Sequence, residues 1–359
     1  MVPSSLGSAE ISPFTSETFD ERPLIVIWEI TRSCVLACRH CRAEAQPRRD
    51  PRELYGSEIA GLLDQVAEAR PLFFVLTGGD PANRSDLSDI AAAATQRGLH
   101  TAISPSATPR LLRADFAALR AAGIERMSLS LDGAQKETHD AFRGVRGTWD
   151  WTMQAIERAR SVGMQIQINT TLSRVNLHEW DRFLECLMVI RPSLWSIFLL
   201  VPTGRAGIAE MLDGQETETL FASLADYAEI CGFPVKTTEG PHYRRIVSYR
   251  NTGGRPWSKA ATNDGKGFVF ISHTGDIQPS GFLPVTCGNV RKDNLLTVYR
   301  NAPVFRSLRD PNLLGGKCGR CEFRAVCGGS RARAYAVSRD WLAEDPSCGY
   351  QPPTAHTYD

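Results

Sequence analysis

The residues in this chain best able to do chemistry are its cysteines. There are ten, and seven of them fall into two groups. Cys34, Cys38 and Cys41 lie in "TRSCVLACRHCRAEA" at spacing C-x3-C-x2-C, directly after the apolar run "LIVIWE". Cys318, Cys321, Cys327 and Cys348 follow near the C-terminus at C-x2-C-x5-C-x20-C. Clustered cysteines in a reducing compartment point to metal or redox work, because disulfides are rare there. Three thiolates on one short loop are a ligand short of a closed tetrahedral zinc site. Soft thiolates suit zinc or an iron–sulfur cluster. A cubane cluster on three cysteines leaves one iron open, free to bind and reduce a ligand that is not protein. Zinc completed by His40 or by a more distant residue is the competing arrangement. The second group has the four thiolates that close a site, and by spacing alone zinc and an iron–sulfur cluster fit it about equally. Cys186 and Cys231 sit in helical patterns and read as small buried hydrophobes. Cys287, before Gly288-Asn289, reads as a spare thiol.

The elements that must position these groups alternate along the chain. Short, nearly continuous apolar runs at 24–29, 72–77, 100–104, 126–131, 165–171 and 195–201 have the character of parallel strands buried on both faces. Between them lie helical patterns. Ser57 opens one, and Thr108-Pro109 opens another, with Thr as N-cap and Pro at the first helical position. Gly98, Gly123 and Gly163 each close a helical run. Repeated βα units require a parallel sheet with right-handed crossovers. Six units fall short of the closed eight-fold barrel. The sequence therefore predicts an α/β fold, a partial (βα)6 TIM-like barrel with its site at the C-terminal ends of the strands. Past Thr237 the rhythm changes. "TTEGPHYRRIVSYRNTGGRPWSKAATNDGKG" is polar and Gly-rich and predicts a linker or substrate loop. Segments 267–272 and 277–281 predict a β-hairpin, and 294–300 a helix. The expected divisions are a mobile leader 1–21, a core 22–236, a linker 237–266, a second cysteine domain 267–352 and a tail 353–359.

Several strand ends carry motifs. "LTGGDP" (76–81) ends the second strand, "SPSATP" follows the third, "SLSLDG" ends the fourth with "HDAFRG" soon after, and "INTTL" lies in the fifth. Gly78 and Gly79 let backbone approach a ligand with no Cβ in the way. Together with the cysteine loop, these motifs resemble the signature of the radical SAM superfamily. The resemblance implies that the first group holds a 4Fe–4S cluster whose open iron chelates the amino and carboxylate groups of S-adenosylmethionine. An electron from the cluster then cleaves the carbon–sulfur bond, giving methionine and a 5′-deoxyadenosyl radical. It also implies roles by position. His40 would lie against adenine. Asp80, where the family usually has Glu, would accept from the amino group. Ser130 and Arg143 would hold the carboxylate, which an arginine fork suits, and Asp132 would lie near the ribose. Ser104 and Asn169 would add contacts, and Val201 with Pro202 would pack on adenine. The second group, with "GDIQPSGFLP", "CGNV" and "RCEFRAVCGG", is similar to the SPASM/twitch extension, which holds an auxiliary 4Fe–4S cluster. A full SPASM domain carries seven cysteines and two clusters. Here Arg331 stands four beyond Cys327 and Ser280 follows Pro279, so one auxiliary cluster is expected.

Within the superfamily the nearest likeness is to enzymes that modify porphyrin side chains in alternative haem and haem d1 synthesis. A porphyrin is thus the expected substrate. A ribosomally made peptide, as in the pyrroloquinoline quinone and mycofactocin pathways, is the alternative, and a reduced flavodoxin- or ferredoxin-type protein is the expected electron donor. His242, Arg244 and Arg245 in "TTEGPHYRRI" are the expected substrate contacts, to propionate carboxylates or an iron. On the residues alone, a zinc-stabilised binding module without catalysis stays open. With 41 basic and 40 acidic residues the net charge is +1, which gives no electrostatic case for nucleic acid or an anionic membrane. No apolar run is long enough for a transmembrane helix. The N-terminus lacks the basic-then-apolar pattern of a signal peptide, so a cytoplasmic protein is expected.

Overall fold

The computed structural model describes residues 16–252 and 261–353. The six expected strands are present, in order and parallel: β1 (Ile25–Thr31), β2 (Phe73–Gly78), β3 (Thr101–Ile103), β4 (Ile124–Ser130), β5 (Gln165–Leu172) and β6 (Leu194–Leu199). Two further parallel strands extend this array. β7 (Val235–Thr238) pairs with β6, and β8 (Phe268–Ile271) pairs with β1. From β8 the sheet continues antiparallel through β9 (Asp276–Gln278) to β10 (Gly288–Asn289), the predicted hairpin and its neighbour. Among the described residues β7 and β8 do not pair, so the barrel is left open between them.

The division at 236/237 therefore cuts through a strand. β7 escapes sequence reading because "VKTT" has one apolar residue and no apolar run. The expected linker also holds a helix, His242–Thr252, whose arginines and tyrosines hide its helical period. Residues 253–260 of that linker, 1–15 of the leader and 354–359 of the tail lie outside the described residues. The described end of the leader is docked. It forms the helix Ser16–Glu21, Phe19 is 1% exposed, the Tyr299 hydroxyl donates to the Phe19 carbonyl, and Arg309 pairs with Asp20 at 2.8 Å.

The two faces of the sheet differ in chemistry. Val26, Trp28 and Ile30 face the surrounding helices, as do Leu129, Ile168 and Trp195 on later strands. The helix Ser57–Ala69 answers them with Ile59, Leu62, Leu63 and Val66, spaced to lie on one face. Each such side chain contributes roughly 1.5–3 kcal/mol when fully buried. Side chains alternate along a strand. Glu29, Ser128, Ser130, Gln167, Asn169, Ser196 and Lys236 therefore face inward. The interior is a polar chamber, unlike the layered apolar filling of a closed barrel.

Candidate active site

The cysteine loop leaves β1 at the C-terminal mouth of the barrel, and backbone contacts seat it. Cys34 N–H donates to the Gln46 carbonyl at 2.8 Å, and Arg39 N–H to the Phe142 carbonyl at 3.0 Å. Arg205 binds the loop twice, through Nε to the Cys38 carbonyl (2.9 Å) and through its N–H to the Cys41 carbonyl (3.1 Å). Glycines allow the fit. A Cβ at Gly78 would lie 2.5 Å from the Thr31 carbonyl oxygen, one at Gly79 2.5 Å from that of Ser33, and one at Gly204 2.3 Å from that of Cys41. The Gly78-Gly79 pair thus makes a close approach to the cysteine loop. A side chain there would push the loop out of place.

Cys34 and Cys38 are buried and Cys41 is partly so. The Leu36 and Ala45 N–H groups point at the Cys34 and Cys41 sulfurs at 3.4 and 3.5 Å, and Ser106 Oγ lies 3.6 Å from the Cys34 sulfur. Burial pushes the Cys38 thiol up to about 11, against the pull of Arg143. The buried Arg143 guanidinium interacts favourably with all three sulfurs. Among the described residues no three His, Cys, Asp or Glu side chains close around a single metal ion. The fit rests on the donor set: three thiols, N–H groups aimed at sulfur and one fixed cation suit an anionic thiolate-bound cluster.

Arg143 is held by Asp132 at 3.2 Å. Asp132 is 1% exposed; its other oxygen accepts from Thr171 N–H at 2.8 Å, and His40 Nε2 lies 3.9 Å away. Asp132 thus orients Arg143 and His40 from behind. The His40 ring packs 4.5 Å from Phe142, centroid to centroid, and burial holds its pKa down to about 4, so it stays neutral at pH 7. Asp80 is also taken up internally. Its carboxylate is fully buried, accepts from Ala82 N–H (3.1 Å) and from the Thr108 hydroxyl (2.8 Å), and caps the turn Pro81–Asn83.

Ser130 and Asn169 are register partners on β4 and β5, and Ser104 N–H donates to the Leu76 carbonyl at 2.8 Å, so all three sit at the same mouth. Val201 does not. It is 3% exposed and packs with Leu283, Leu308 and Ala332, because the chain turns into the C-terminal extension after β6. Sequence reading passed over Ser106, Phe142 and Arg205. The first two lie inside "SPSATP" and "HDAFRG", and Arg205 follows the glycine of "PTGR". Arg42, next to Cys41, reaches Glu29 at 3.0 Å, and Glu29 meets His273 at 3.0 Å, which ties the loop to the extension.

The second group is gathered in space. Cys318, Cys321, Cys327 and Cys348 line one pocket, with His242, Arg245, Lys317 and Arg324 around them. His242 is fully buried, with Nε2 3.2 Å from the Asp345 carboxylate. Neither ring nitrogen is well aligned for a hydrogen bond, so the contact is an ion pair. Burial opposes the charged ring, but Asp345 and the Cys348 sulfur raise its pKa to about 9. His242 and Arg245 therefore belong to the surroundings of the second cysteine group. Arg244, on the other side of the helix, donates to the Thr262 carbonyl at 2.6 Å. The three expected substrate contacts are split between two places.

An open α/β barrel with three thiols gathered at its mouth, and four more converging in an extension, is the framework of a radical-generating iron–sulfur enzyme. Residues 28–187 match the family described as the Radical SAM superfamily. The chain is 39% identical to the AdoMet-dependent heme synthase of Nitratidesulfovibrio vulgaris, over 95% of this chain and 96% of that protein. It is 37% identical to the AdoMet-dependent heme synthase of Methanosarcina barkeri, over 92% and 97%. Streptococcus suis SuiB, in its crystal structure bound to S-adenosylmethionine, shares the fold at a TM-score of 0.70 and 18% identity, over 92% of this chain and 78% of that one. The chain belongs to the radical SAM superfamily and carries an extension of the SPASM/twitch type. It is accordingly an enzyme with a 4Fe–4S and S-adenosylmethionine cofactor system.

Proposed function

We propose that this enzyme acts in haem synthesis, removing hydrogen from a side chain of a porphyrin. The observation that carries the reading is the near-full-length identity to AdoMet-dependent heme synthases. When bound, the cluster and S-adenosylmethionine supply a 5′-deoxyadenosyl radical. Cys34, Cys38 and Cys41 hold that cluster. Arg143, oriented by Asp132, offers its guanidinium to the cofactor carboxylate. Ser130 and Asn169 bound the cofactor from adjacent strands, and the neutral His40 ring flanks it with Phe142. Gly78 and Gly79 keep the cysteine loop seated, and Ser104 lies at the same mouth beside the end of β2. Cys318, Cys321, Cys327 and Cys348 hold one auxiliary 4Fe–4S cluster, and His242, Arg245 and Lys317 offset its negative charge. A reduced flavodoxin- or ferredoxin-type protein delivers the electron. No helix among the described residues is long and apolar enough to cross a membrane, and the cytoplasm is the compartment that suits such a donor.

The test uses the anaerobically reconstituted, reduced protein with S-adenosylmethionine. An iron porphyrin bearing propionate side chains is expected to raise 5′-deoxyadenosine release and to change mass in step with it. Acceleration by a ribosomal precursor peptide, with the porphyrin returned unchanged, would put the peptide-modifying alternative in its place.

A further inference from the structure

The arginine that stands four residues beyond Cys327 is enclosed without a carboxylate partner. Arg331 opens the helix Arg331–Ser338, directly behind its N-cap Ser330, and is 1% exposed. That is the unfavourable end of a helix for a cation, because the macrodipole is positive there. Five arginines are buried among the described residues, and four of them meet a carboxylate: Arg84 meets Asp86, Arg143 meets Asp132, Arg245 meets Glu218 and Arg333 meets Asp345. Arg331 meets none within ion-pair distance among the described residues. Its Nε donates to the Gly329 carbonyl at 3.3 Å, and its Nη1 to the Trp341 and Ala343 carbonyls at 2.9 and 2.7 Å. These acceptors are neutral. Its Nη2 points at the Cys318 sulfur at 3.7 Å.

Gly329 makes the approach to sulfur possible. A Cβ there would fall 2.6 Å from Arg331 Nη2 and 3.1 Å from the Cys318 sulfur, and its φ of +66° is one that other residues rarely adopt. Asp345 packs against the same glycine, but its carboxylate is taken by Arg333, His242 and the Ser330 and Ser347 N–H groups. The other cations near the cysteines are engaged elsewhere. His242 and Arg245 are matched by Asp345 and Glu218, and Lys317 donates to the Cys348 carbonyl at 2.8 Å. A buried guanidinium without counter-charge is costly, and a Cys318 thiolate supplies that charge. Net charge and hydrogen bonds to the sulfurs set the potential of a thiolate-bound cluster. We infer that Arg331 is a positioning residue for the second cluster, its internal counter-ion: it steadies the Cys318 thiolate, helps the four cysteines keep the cluster and favours the reduced form. The inference rests on the auxiliary 4Fe–4S assignment above. Reduction adds one electron, and so one negative charge, to the cluster. The fixed guanidinium makes that addition easier, which raises the potential.

The experiment poises the reconstituted full-length holoenzyme anaerobically over a range of potentials and follows its reduced clusters by electron paramagnetic resonance. S-adenosylmethionine alters the signal of the open cluster, which marks the other as the second one. Arg331→Met is expected to lower the reduced-to-oxidised ratio of the second cluster about tenfold at a fixed potential, a shift of about 59 mV for one electron. The first cluster should titrate as in wild type. Arg331→Lys keeps the charge but not the fork that binds the carbonyls, and its ratio should stay within about threefold of wild type. Iron is counted in each protein. About four irons per chain in Arg331→Met with about eight in Arg331→Lys would also support the inference, since the charge would then be needed to keep the cluster at all. Loss of the second cluster from both variants would make Arg331 a brace for the Trp341 and Ala343 carbonyls and overturn it. So would a full iron complement in Arg331→Met with the ratio within about twofold of wild type, or an Arg331→Lys shift as large as that of Arg331→Met. A wild type holding only about four irons would overturn the auxiliary-cluster assignment and this inference with it, and the porphyrin reading would keep its own test.

Discussion

Cys34→Ala is expected to abolish release of 5′-deoxyadenosine while sparing the second cluster. Cys34 is buried at the foot of the loop, and its sulfur receives the Leu36 N–H and faces Ser106. Removing it leaves two thiolates, Cys38 and Cys41, too few to hold a cubane that must also keep one iron open. Nothing nearby replaces the lost ligand: His40 is directed at Asp132 and Phe142, and Asp80 is engaged by Ala82 and Thr108. The loop itself should persist, since its seat is made by backbone groups of Gln46 and by Arg205. Anaerobic reconstitution should then give about four irons per chain in place of about eight. Product should fall to background under reducing conditions. Iron restored to about eight, or cleavage surviving the substitution, would contradict the assignment of the open cluster to these three cysteines.

The second large effect concerns Asp345→Ala, and it should remove the opposite half of the iron. Asp345 is fully buried and serves four partners: Arg333 at 3.0 Å, His242 at 3.2 Å, and the Ser330 and Ser347 N–H groups at 2.7 and 3.0 Å. Taking the carboxylate away leaves two enclosed cations without their counter-charge, a loss of about 3–5 kcal/mol. Arg333 also reaches the Leu200 carbonyl at 3.4 Å, so the loss is transmitted to the join between barrel and extension. Cys348 lies three residues on, in the same turn, and should lose its place. The variant is expected to unfold at a lower temperature, to retain about four irons on the first site, and still to cleave S-adenosylmethionine slowly. Porphyrin conversion should be lost. Calorimetry with iron analysis checks this directly, and a full iron complement with unchanged melting would count against the buried triad.

Much of the framework was legible because the chemistry and the periodicity agree. The six apolar runs became six parallel strands since each faces helices on one side. The two cysteine groups needed no structure to be noticed, because few tasks other than metal binding cluster thiols in this way. What escaped was set by tertiary contacts. β7 is a polar edge strand, so it carries no apolar signature. The helix His242–Thr252 sits in a stretch rich in arginine and tyrosine, and its first turn is fixed by Asp345, more than a hundred residues away. Asp80, Asp132 and Val201 were placed by motif position, yet their local surroundings turn the two carboxylates inward and the valine into the extension. The glycine pair also makes room for the loop that holds the cysteines, a contact set by tertiary packing.

The most direct measurement is the fate of one hydrogen. The reconstituted enzyme is supplied with reductant, S-adenosylmethionine and an iron porphyrin deuterated in its propionate side chains, and the 5′-deoxyadenosine formed is weighed by mass spectrometry. The account predicts 5′-deoxyadenosine one deuterium heavier, appearing together with the altered porphyrin. Unlabelled 5′-deoxyadenosine, formed while the porphyrin is returned intact, would contradict it.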